Sequence, residues 1–357
     1  MSNGTVLLTH FESVAPPITL SQDEALEFTL QAHLKTQPGQ AEFSRNFPLW
    51  IRRYGIKSKD IATRLFENID LPLQGADIEE RTLFFSRRGR EVFSQLYPKK
   101  STHPQHIIHV TCTGYVSPSP AQWLVNDQNW NGKTNITHSY HMGCYAALPS
   151  VRVAEGLIKA KEQRVDIVHT EMCALHNNPR DHSPEQIVVQ SLFADGHIKY
   201  SALPLTNQNS GFEVLGISEL IVKDSQEDMT WSPASWGMKM SLSREVPAKI
   251  ASNLRPFLKQ LLASSSYSVG EVLKHAVFAI HPGGPKIIDS VQQVLELSNE
   301  QTEASKEILR TRGNMSSATL PHVWKKLLDD SISHDQLVVS LAFGPGLTIF
   351  GSIFKAV

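Results

Sequence analysis

The segment His141-Met-Gly-Cys-Tyr-Ala-Ala-Leu-Pro-Ser150 places a thiol, Cys144, directly after a glycine. Apolar residues at helical spacing follow from Val151, which predicts a helix that runs to about residue 161. A helix N-terminus carries partial positive charge, which favours the thiolate form of a nearby cysteine. Cys144 is therefore a candidate nucleophile; the alternative is a buried structural cysteine, since free cysteine is among the most buried residue types.

Two later segments each hold one polar side chain in or beside a glycine-containing turn. They are Ile280-His-Pro-Gly-Gly-Pro285, which contains His281, and Arg312-Gly-Asn-Met-Ser-Ser-Ala318, which contains Asn314. A cysteine with a distant histidine and asparagine is the sequence form of an activated sulfur nucleophile. His281 could instead be structural, and Asn314 could serve as a helix N-cap.

Composition excludes several classes of function. Of the 357 residues, 41% are hydrophobic, which is enough for a substantial core, and the net charge of −1 gives no reason to expect nucleic acid as a partner. The cysteines at 112, 144 and 173 are an odd number without a framework spacing, which indicates free thiols in a reducing compartment. No apolar run approaches the roughly 18 residues of a membrane span, and no signal-peptide pattern is present. We expect a cytoplasmic protein that does not enter a membrane.

Strand-like and helix-like patterns alternate along the chain, which predicts an α/β fold. A cluster of Asn, Gln, Ser and Gly between residues 204 and 212 suggests a boundary between two halves. We place the half that carries Cys144 at residues 1–206 and the half that carries His281 and Asn314 at residues 207–357.

These three side chains fit a carbon–carbon bond-forming reaction. A cysteine thiolate accepts an acyl group from a thioester, and a neutral histidine and asparagine can hold the carbonyl oxygen of a second thioester. If that second unit is malonyl, loss of carbon dioxide leaves an enolate whose oxygen needs two donors in a dry site. The enolate then attacks the acyl-cysteine in a decarboxylative Claisen condensation. The residues alone also allow hydrolysis of the cysteine-protease kind.

The chain resembles the type III polyketide synthase (chalcone synthase-like) family of the thiolase superfamily, from about residue 107 to the C-terminus. The resemblance rests on eight segments in the family's order: Val110-Thr-Cys-Thr113, Met142-Gly-Cys144, the residues after Glu171, Leu192-Phe-Ala-Asp-Gly196, Arg244-Glu-Val-Pro247, His281-Pro-Gly-Gly-Pro285, Gly313-Asn-Met-Ser-Ser-Ala318 and Phe343-Gly-Pro-Gly346. It implies a thiolase-like five-layered αβαβα fold, a homodimer, and a catalytic triad of Cys144, His281 and Asn314.

The resemblance also assigns residues to the substrate cavity. Phe193 matches the family's aromatic gatekeeper, whereas Met240 stands where the plant enzymes have a second phenylalanine. The loop that contains Gly344 and Gly346 resembles one beside the family's cysteine, where its backbone and the Cys144 amide would bind an oxyanion.

Cys173 and His176 replace threonines of the plant enzymes, so we expect a starter and product different from those of chalcone synthase. The sequence looks like a bacterial member of the family. A metal site at Cys173 and His176 is the alternative that we consider weaker, because no second cysteine pair is present.

A basic stretch is a candidate site for the carrier that delivers the substrate. It consists of Arg45, Arg52, Arg53, Lys57 and Lys59. The family binds coenzyme A with basic residues in a corresponding helix, so Arg52 and Arg53 are candidates for coenzyme A or for an acyl carrier protein. The alternative is a solvated helix face. No cofactor is expected, because the substrates are themselves thioesters.

Three functions remain open from the sequence. The first is an acyltransferase (ketosynthase) that makes a polyketide such as an α-pyrone or a resorcinol for secondary metabolism. The second is a stand-alone ketosynthase that joins two carrier-protein-bound β-ketoacyl chains into an α-pyrone. The third is a non-catalytic binding protein on the same fold.

Overall fold

The structure, a computed structural model, describes residues 5–72, 74–206, 209–263 and 265–357. The strands in these ranges are β1 (Val6–Val14), β2 (Ile18–Ser21), β3 (Thr63–Phe66), β4 (His106–Thr111), β5 (Asn135–Tyr140), β6 (Val165–Met172), β7 (Asp195–Pro204), β8 (Phe212–Ile221), β9 (Met229–Ala234), β10 (Gly237–Leu242), β11 (Val277–Ile280), β12 (Leu337–Gly344) and β13 (Thr348–Ala356). The helices are α1 (Gln22–Lys35), α2 (Ala41–Tyr54), α3 (Ile78–Leu96), α4 (Pro120–Asp127), α5 (Ala147–Lys159), α6 (Pro184–Leu192), α7 (Val246–Leu262), α8 (Val269–His275), α9 (Pro285–Leu295), α10 (Asn299–Arg312) and α11 (Thr319–Asp329). Short 3₁₀ turns span Cys173–His176 and Ser316–Ala318.

Nine strands follow one another in the order β11-β12-β13-β8-β1-β7-β6-β4-β5. Two sheets meet inside this order, because β1 pairs with β7 over most of its length but with β8 at only two residue pairs. β4, β5 and β6 run parallel to one another in the first sheet, and β11 and β12 run parallel in the second. The predicted α/β class is confirmed.

Apolar clusters define the layers of the fold. Helices α5 and α11 contribute to one core with strands of both sheets, so they lie between the sheets. Helices α3 and α4 pack on the outer face of the first sheet, and α7 and α9 pack on the outer face of the second. The resulting order, helix–sheet–helix–sheet–helix, is the five-layered arrangement that the sequence predicted.

The local signals for helix boundaries hold with small shifts. Ser21 caps α1 with its side chain, and Glu24 completes a capping box. Helix α5 ends at Lys159, two residues before the predicted end. The expected boundary lies between residue 206 and residue 207, and residues 207 and 208 lie outside the described residues. Across the described ranges, every helix is too short or too polar to cross a bilayer.

The parallel strands direct several chain segments to the same regions of the fold, because the carboxyl ends of parallel strands share one sheet edge. Cys112 follows β4, and the segment that leads to Cys144 follows β5. In the second sheet, His281 follows β11, and the loop at Pro345 follows β12. The next subsection describes how these segments meet.

Candidate active site

Cys144 lies three residues before the first residue of α5, and its side chain is 6% exposed. Gly143 precedes it with φ +84°, and a Cβ at this glycine would stand 2.5 Å from Cδ of Pro345. Only glycine combines this backbone conformation with so close an approach. The glycine before the thiol therefore brings the loop after β12 against the cysteine.

A narrow cavity opens beside the thiol. It leaves about 30 Å³ for the centres of water-sized molecules, which is room for roughly two waters. All three cysteines of the chain contribute to its wall and all three are free. The other lining residues are Thr113, Gly143, His176, Asn177, Gln186, Val189, Phe193, Trp231, Met238, Met240, Ser316 and Pro345.

The Cys144 thiol is neutral in this fold, which corrects the expectation of a favoured thiolate. Burial raises the pKa of Cys144 to about 12, and hydrogen bonds from the side chains of Ser316 and Asn314 oppose that shift only in part. Nearby Glu171 adds to the increase in pKa. The partial charge of a helix terminus is a small effect beside the desolvation of a buried thiolate. Ionisation of the thiol therefore requires a base or a bound substrate.

Asn314 is held beside the thiol by both backbone and side chain. Its N–H donates to the Leu192 carbonyl at 3.0 Å, and its carbonyl accepts from Ala194 N–H at 2.8 Å, which makes a short parallel bridge to Phe193. Its Oδ1 accepts from the Ser316 N–H at 2.9 Å, and its side chain lies near enough to Cys144 to lower the pKa of the thiol. The Asn314 side chain thus holds the turn that leads into Ser316–Ala318, but it is not a helix N-cap, because the residues at the cap positions are Met315 and Ala318.

His281 is 1% exposed at the end of β11, where its N–H donates to Leu341 O at 2.7 Å. Within the described residues, neither ring nitrogen has a hydrogen-bond partner. Burial lowers the pKa of His281 to about 3, so the imidazole is neutral at physiological pH. A buried, neutral imidazole with two unused nitrogens is ready to bind a substrate group or accept a proton.

The structure places Asn314 near Cys144, whereas it links His281 to this region through packing. A Cβ at Gly284, in the turn after His281, would meet the Leu192 side chain at 3.9 Å, and Leu192 is the residue that accepts from Asn314 N–H. Among the described residues, no hydrogen bond joins His281 to Cys144.

Two polar residues near the thiol were given no role in the sequence analysis. The Ser316 hydroxyl stands 3.9 Å from the Cys144 sulfur, and Ser316 adopts φ +49°, which is uncommon outside glycine. The Glu171 carboxylate is fully buried and accepts from Cys112 N–H at 3.0 Å, from the Thr113 hydroxyl at 2.8 Å and from the Ser317 hydroxyl. Position within the Gly-Asn-Met-Ser segment was the only sequence signal for Ser316. An isolated acid in an apolar strand was the signal for Glu171.

Four residues that the sequence analysis assigned to the cavity line it, together with others that it did not name. Phe193, Met240, Cys173 and His176 all face the cavity. Trp231 faces it too; its indole N–H donates to the Cys112 carbonyl at 2.6 Å, and its ring meets His176 edge-on at 5.5 Å. An aromatic side chain from β9 therefore lines this cavity together with Phe193.

Both ring nitrogens of His176 are occupied, by the Thr113 carbonyl at 2.9 Å and by Met238 N–H at 3.0 Å. They are therefore not free to bind a metal. In the described ranges, no group of three or more His, Cys, Asp or Glu side chains has an arrangement that could hold an ion.

The remaining candidates lie at the edge of the site or outside it. Gly344 and Gly346 flank Pro345, which lines the cavity beside Gly143. Arg52 and Arg53 lie on the exposed face of α2. Helix α2 packs through Phe47 and Ile51 on α6, the helix that leads to Phe193.

Residues 215–357 match the model of the chalcone and stilbene synthases, C-terminal domain. The type III polyketide synthase pspB of Penicillium soppii is 28% identical and aligns with 96% of this chain and 94% of its own length. The probable polyketide synthase 1 of Dictyostelium discoideum is 31% identical over 71% of this chain, but the chain spans only 8% of that protein's length.

Among solved structures, the 1,3,6,8-tetrahydroxynaphthalene synthase of Streptomyces coelicolor superimposes with a TM-score of 0.84 at 22% identity. The superposition covers 98% of this chain and 99% of the other. At that identity the superposition shows the fold, and the family match and the sequence relatives point to the same group. The chain is therefore similar to type III polyketide synthases along nearly its whole length, and it has the thiolase-like fold of the solved members.

Proposed function

We propose that this protein is a condensing enzyme that carries an acyl chain on Cys144 and extends it by Claisen condensation of acyl thioesters. The observation that carries the proposal is the buried thiol of Cys144 on a narrow cavity, with Ser316 at 3.9 Å and the side chain of Asn314 nearby. The family relationship supports a polyketide product.

Loading begins with the transfer of the Cys144 proton to neutral His281. The thiolate attacks the thioester carbonyl carbon, and backbone N–H groups near Cys144 and Gly344 to Gly346 stabilise the oxyanion of the tetrahedral adduct. The carbon–sulfur bond to the donor then breaks, and the departing thiolate takes the proton from the imidazolium. The raised pKa of Cys144 makes this transfer dependent on bound substrate, which protects the resting thiol.

Condensation needs His281 and Asn314 as two donors to one carbonyl oxygen. A malonyl thioester loses carbon dioxide, and its electron pair forms an enolate whose oxygen lies against these donors. The enolate carbon attacks the acyl carbon on Cys144, the acyl–sulfur bond breaks, and the thiolate is released for the next cycle. A dry, buried site strengthens both hydrogen bonds to the enolate oxygen.

The carrier of the substrates is coenzyme A or an acyl carrier protein, and no further cofactor is needed for this chemistry. The exposed arginines Arg52 and Arg53 suit the phosphate end of either carrier. The active form is a homodimer in the cytoplasm, and the released product is an α-pyrone or a resorcinol.

One observation favours a second candidate function. The cavity of about 30 Å³ offers little room for a chain that grows by repeated extension on Cys144. A stand-alone ketosynthase that joins two preformed β-ketoacyl chains, each on a carrier protein, would need only a single condensation.

The two candidates separate in one experiment. Purified protein is incubated with a long acyl-coenzyme A and malonyl-coenzyme A, and in parallel with two carrier-bound β-ketoacyl chains. Iterative extension with the coenzyme A substrates supports the first candidate, whereas product only from the carrier-bound pair supports the second. If neither reaction gives product, and if Cys144→Ala behaves like the wild type, the protein is a binding protein on the same fold.

A further inference from the structure

A buried guanidinium lies behind the candidate active site. Arg64, on β3, is 1% exposed, and within the described residues no carboxylate forms an ion pair with it. Burial lowers the pKa of Arg64 to about 9, an effect that the nearby Asp195 carboxylate opposes only in part, and a well-packed apolar side chain would serve a core at least as well. The arginine therefore needs an explanation other than stability.

The guanidinium binds the chain on the Phe193 side of the site. Its Nη1 donates to the Phe193 carbonyl at 2.8 Å and to the Gln190 carbonyl at 2.7 Å. Its Nε donates to the Gln22 side chain at 2.8 Å, and Gln22 in turn donates to the Ser191 carbonyl at 2.8 Å. Three hydrogen bonds from one planar group fix the last turn of α6 and the backbone of Phe193.

The same side chain touches the segment before Asn314. A Cβ at Gly313, which has φ +71°, would stand 3.0 Å from Cγ of Arg64 and 3.2 Å from Cβ of Ala194. The neighbours of Arg64 on the chain hold the end of α10 as well, because Ala62 N–H donates to Arg310 O and the Thr63 hydroxyl donates to Thr311 O, both at 2.6 Å.

Arg64 thus connects the segment of Phe193 with the segment of Gly313. On one side it holds Phe193, on the other it packs against Gly313, and Phe193 and Asn314 are joined by their own backbone bridge. Cys144 belongs to a different segment, after β5, and receives no contact from Arg64 in the described structure.

We propose that Arg64 is a positioning residue that fixes the Phe193–Asn314 bridge relative to Cys144, so that condensation depends on it and loading of Cys144 does not. This inference rests on the proposed function. Loading needs the thiol, the imidazole and backbone donors, whereas condensation also needs the Asn314 amide at the enolate oxygen. Misplacement of a catalytic group by about 1 Å can reduce a rate on the order of 100-fold.

The test compares two rates in the full-length protein. Intact-protein mass spectrometry follows the acylation of Cys144 by an acyl-coenzyme A, and chromatography with mass detection follows the condensation product with malonyl-coenzyme A. We expect Arg64→Met to load near the wild-type rate and to condense roughly 100-fold more slowly. Arg64→Lys keeps the charge and loses the planar guanidinium, so its condensation rate should lie between those of the wild type and Arg64→Met.

Gly313→Ala is an independent perturbation of the same junction and should give the same selective loss. Arg164→Lys is the matched control, because Arg164 is a partly buried arginine that binds Asp166 at the opposite side of the first sheet. Both of its rates should equal those of the wild type.

Equal losses of loading and condensation in Arg64→Lys and Gly313→Ala would overturn the inference, because that is the signature of general destabilisation. Unchanged condensation in both variants would overturn it as well. A wild-type protein that loads no acyl group at all would instead refute the proposed function. Arg64→Lys and Gly313→Ala keep the comparison decisive if Arg64→Met does not fold.

Discussion

Trp231 is the side chain whose removal should change the product most clearly. It narrows the cavity from β9, is fixed by a hydrogen bond from its indole to the Cys112 carbonyl at 2.6 Å, and packs edge-on against His176. Trp231→Ala removes the indole and leaves the thiol and the Asn314 amide in place. We expect this variant to release longer products than the wild type.

The magnitude follows from the size of the lost side chain. An engineered cavity left by the truncation of a buried leucine can have a volume on the order of 150 Å³. An indole is larger than the side chain of leucine. The cavity of about 30 Å³ beside Cys144 should therefore grow several-fold. If a two-carbon unit takes roughly the volume of two liquid waters, the added space holds about two further units.

Stability should fall at the same time. The indole hydrogen bond is worth about 1 kcal/mol and the edge-on ring contact about another. The free energy of unfolding of Trp231→Ala should thus decrease by roughly 2 kcal/mol, before any cost of the empty space.

The assay is product analysis by liquid chromatography and mass spectrometry, with a fixed starter and malonyl-coenzyme A. Trp236→Ala is the matched control, because Trp236 lies in the same hairpin, stacks near Arg81 and does not line the cavity. An unchanged product distribution in a folded Trp231→Ala that still loads Cys144 would refute the reasoning. So would an equal lengthening in Trp236→Ala.

Two further predictions concern buried polar groups. Burial lowers the pKa values of His169, His281 and His322 to about 3. Their contribution to stability is therefore complete above pH 6.5 and is lost as the pH falls towards 3, and at pH 5 the loss should be about 2 kcal/mol for each residue. A free energy of unfolding by urea that is equal at pH 7 and pH 5 would contradict this prediction. Asn314→Asp keeps the Oδ1 acceptor but loses the amide donor. Condensation should therefore fall about 100- to 1,000-fold and by more than loading of Cys144, and a parallel loss of both rates would count against the assigned role.

The sequence was sufficient for the residues that sit in short, unusual segments. Gly143 and Cys144 precede a helical pattern in the sequence, and in the structure the backbone at Gly143 lies close to Pro345. Asn314 follows a glycine, and its side chain accepts from the Ser316 N–H in a local turn, although it is not the N-cap of a helix. Alternation of strand and helix patterns likewise predicted the class of fold.

The rest depended on contacts between distant parts of the chain. Trp231 reaches the carbonyl of a residue 119 positions away, and Arg64 reaches that of a residue 129 positions away, so no local pattern could reveal either contact. The protonation state of Cys144 was missed for a related reason. Desolvation depends on how much of the fold surrounds the sulfur, and burial outweighed the helix terminus that the sequence displays.

The most direct test of the account asks which sulfur receives the acyl group. The wild-type protein and the variants Cys144→Ala, Cys112→Ala and Cys173→Ala are each incubated with an acyl-coenzyme A, and the intact masses and digested peptides are measured. The account predicts one acyl adduct on Cys144, present in the wild type and in the variants at 112 and 173, and absent from Cys144→Ala. An adduct that survives in Cys144→Ala, or that maps to Cys112 or Cys173 in the wild type, would contradict it.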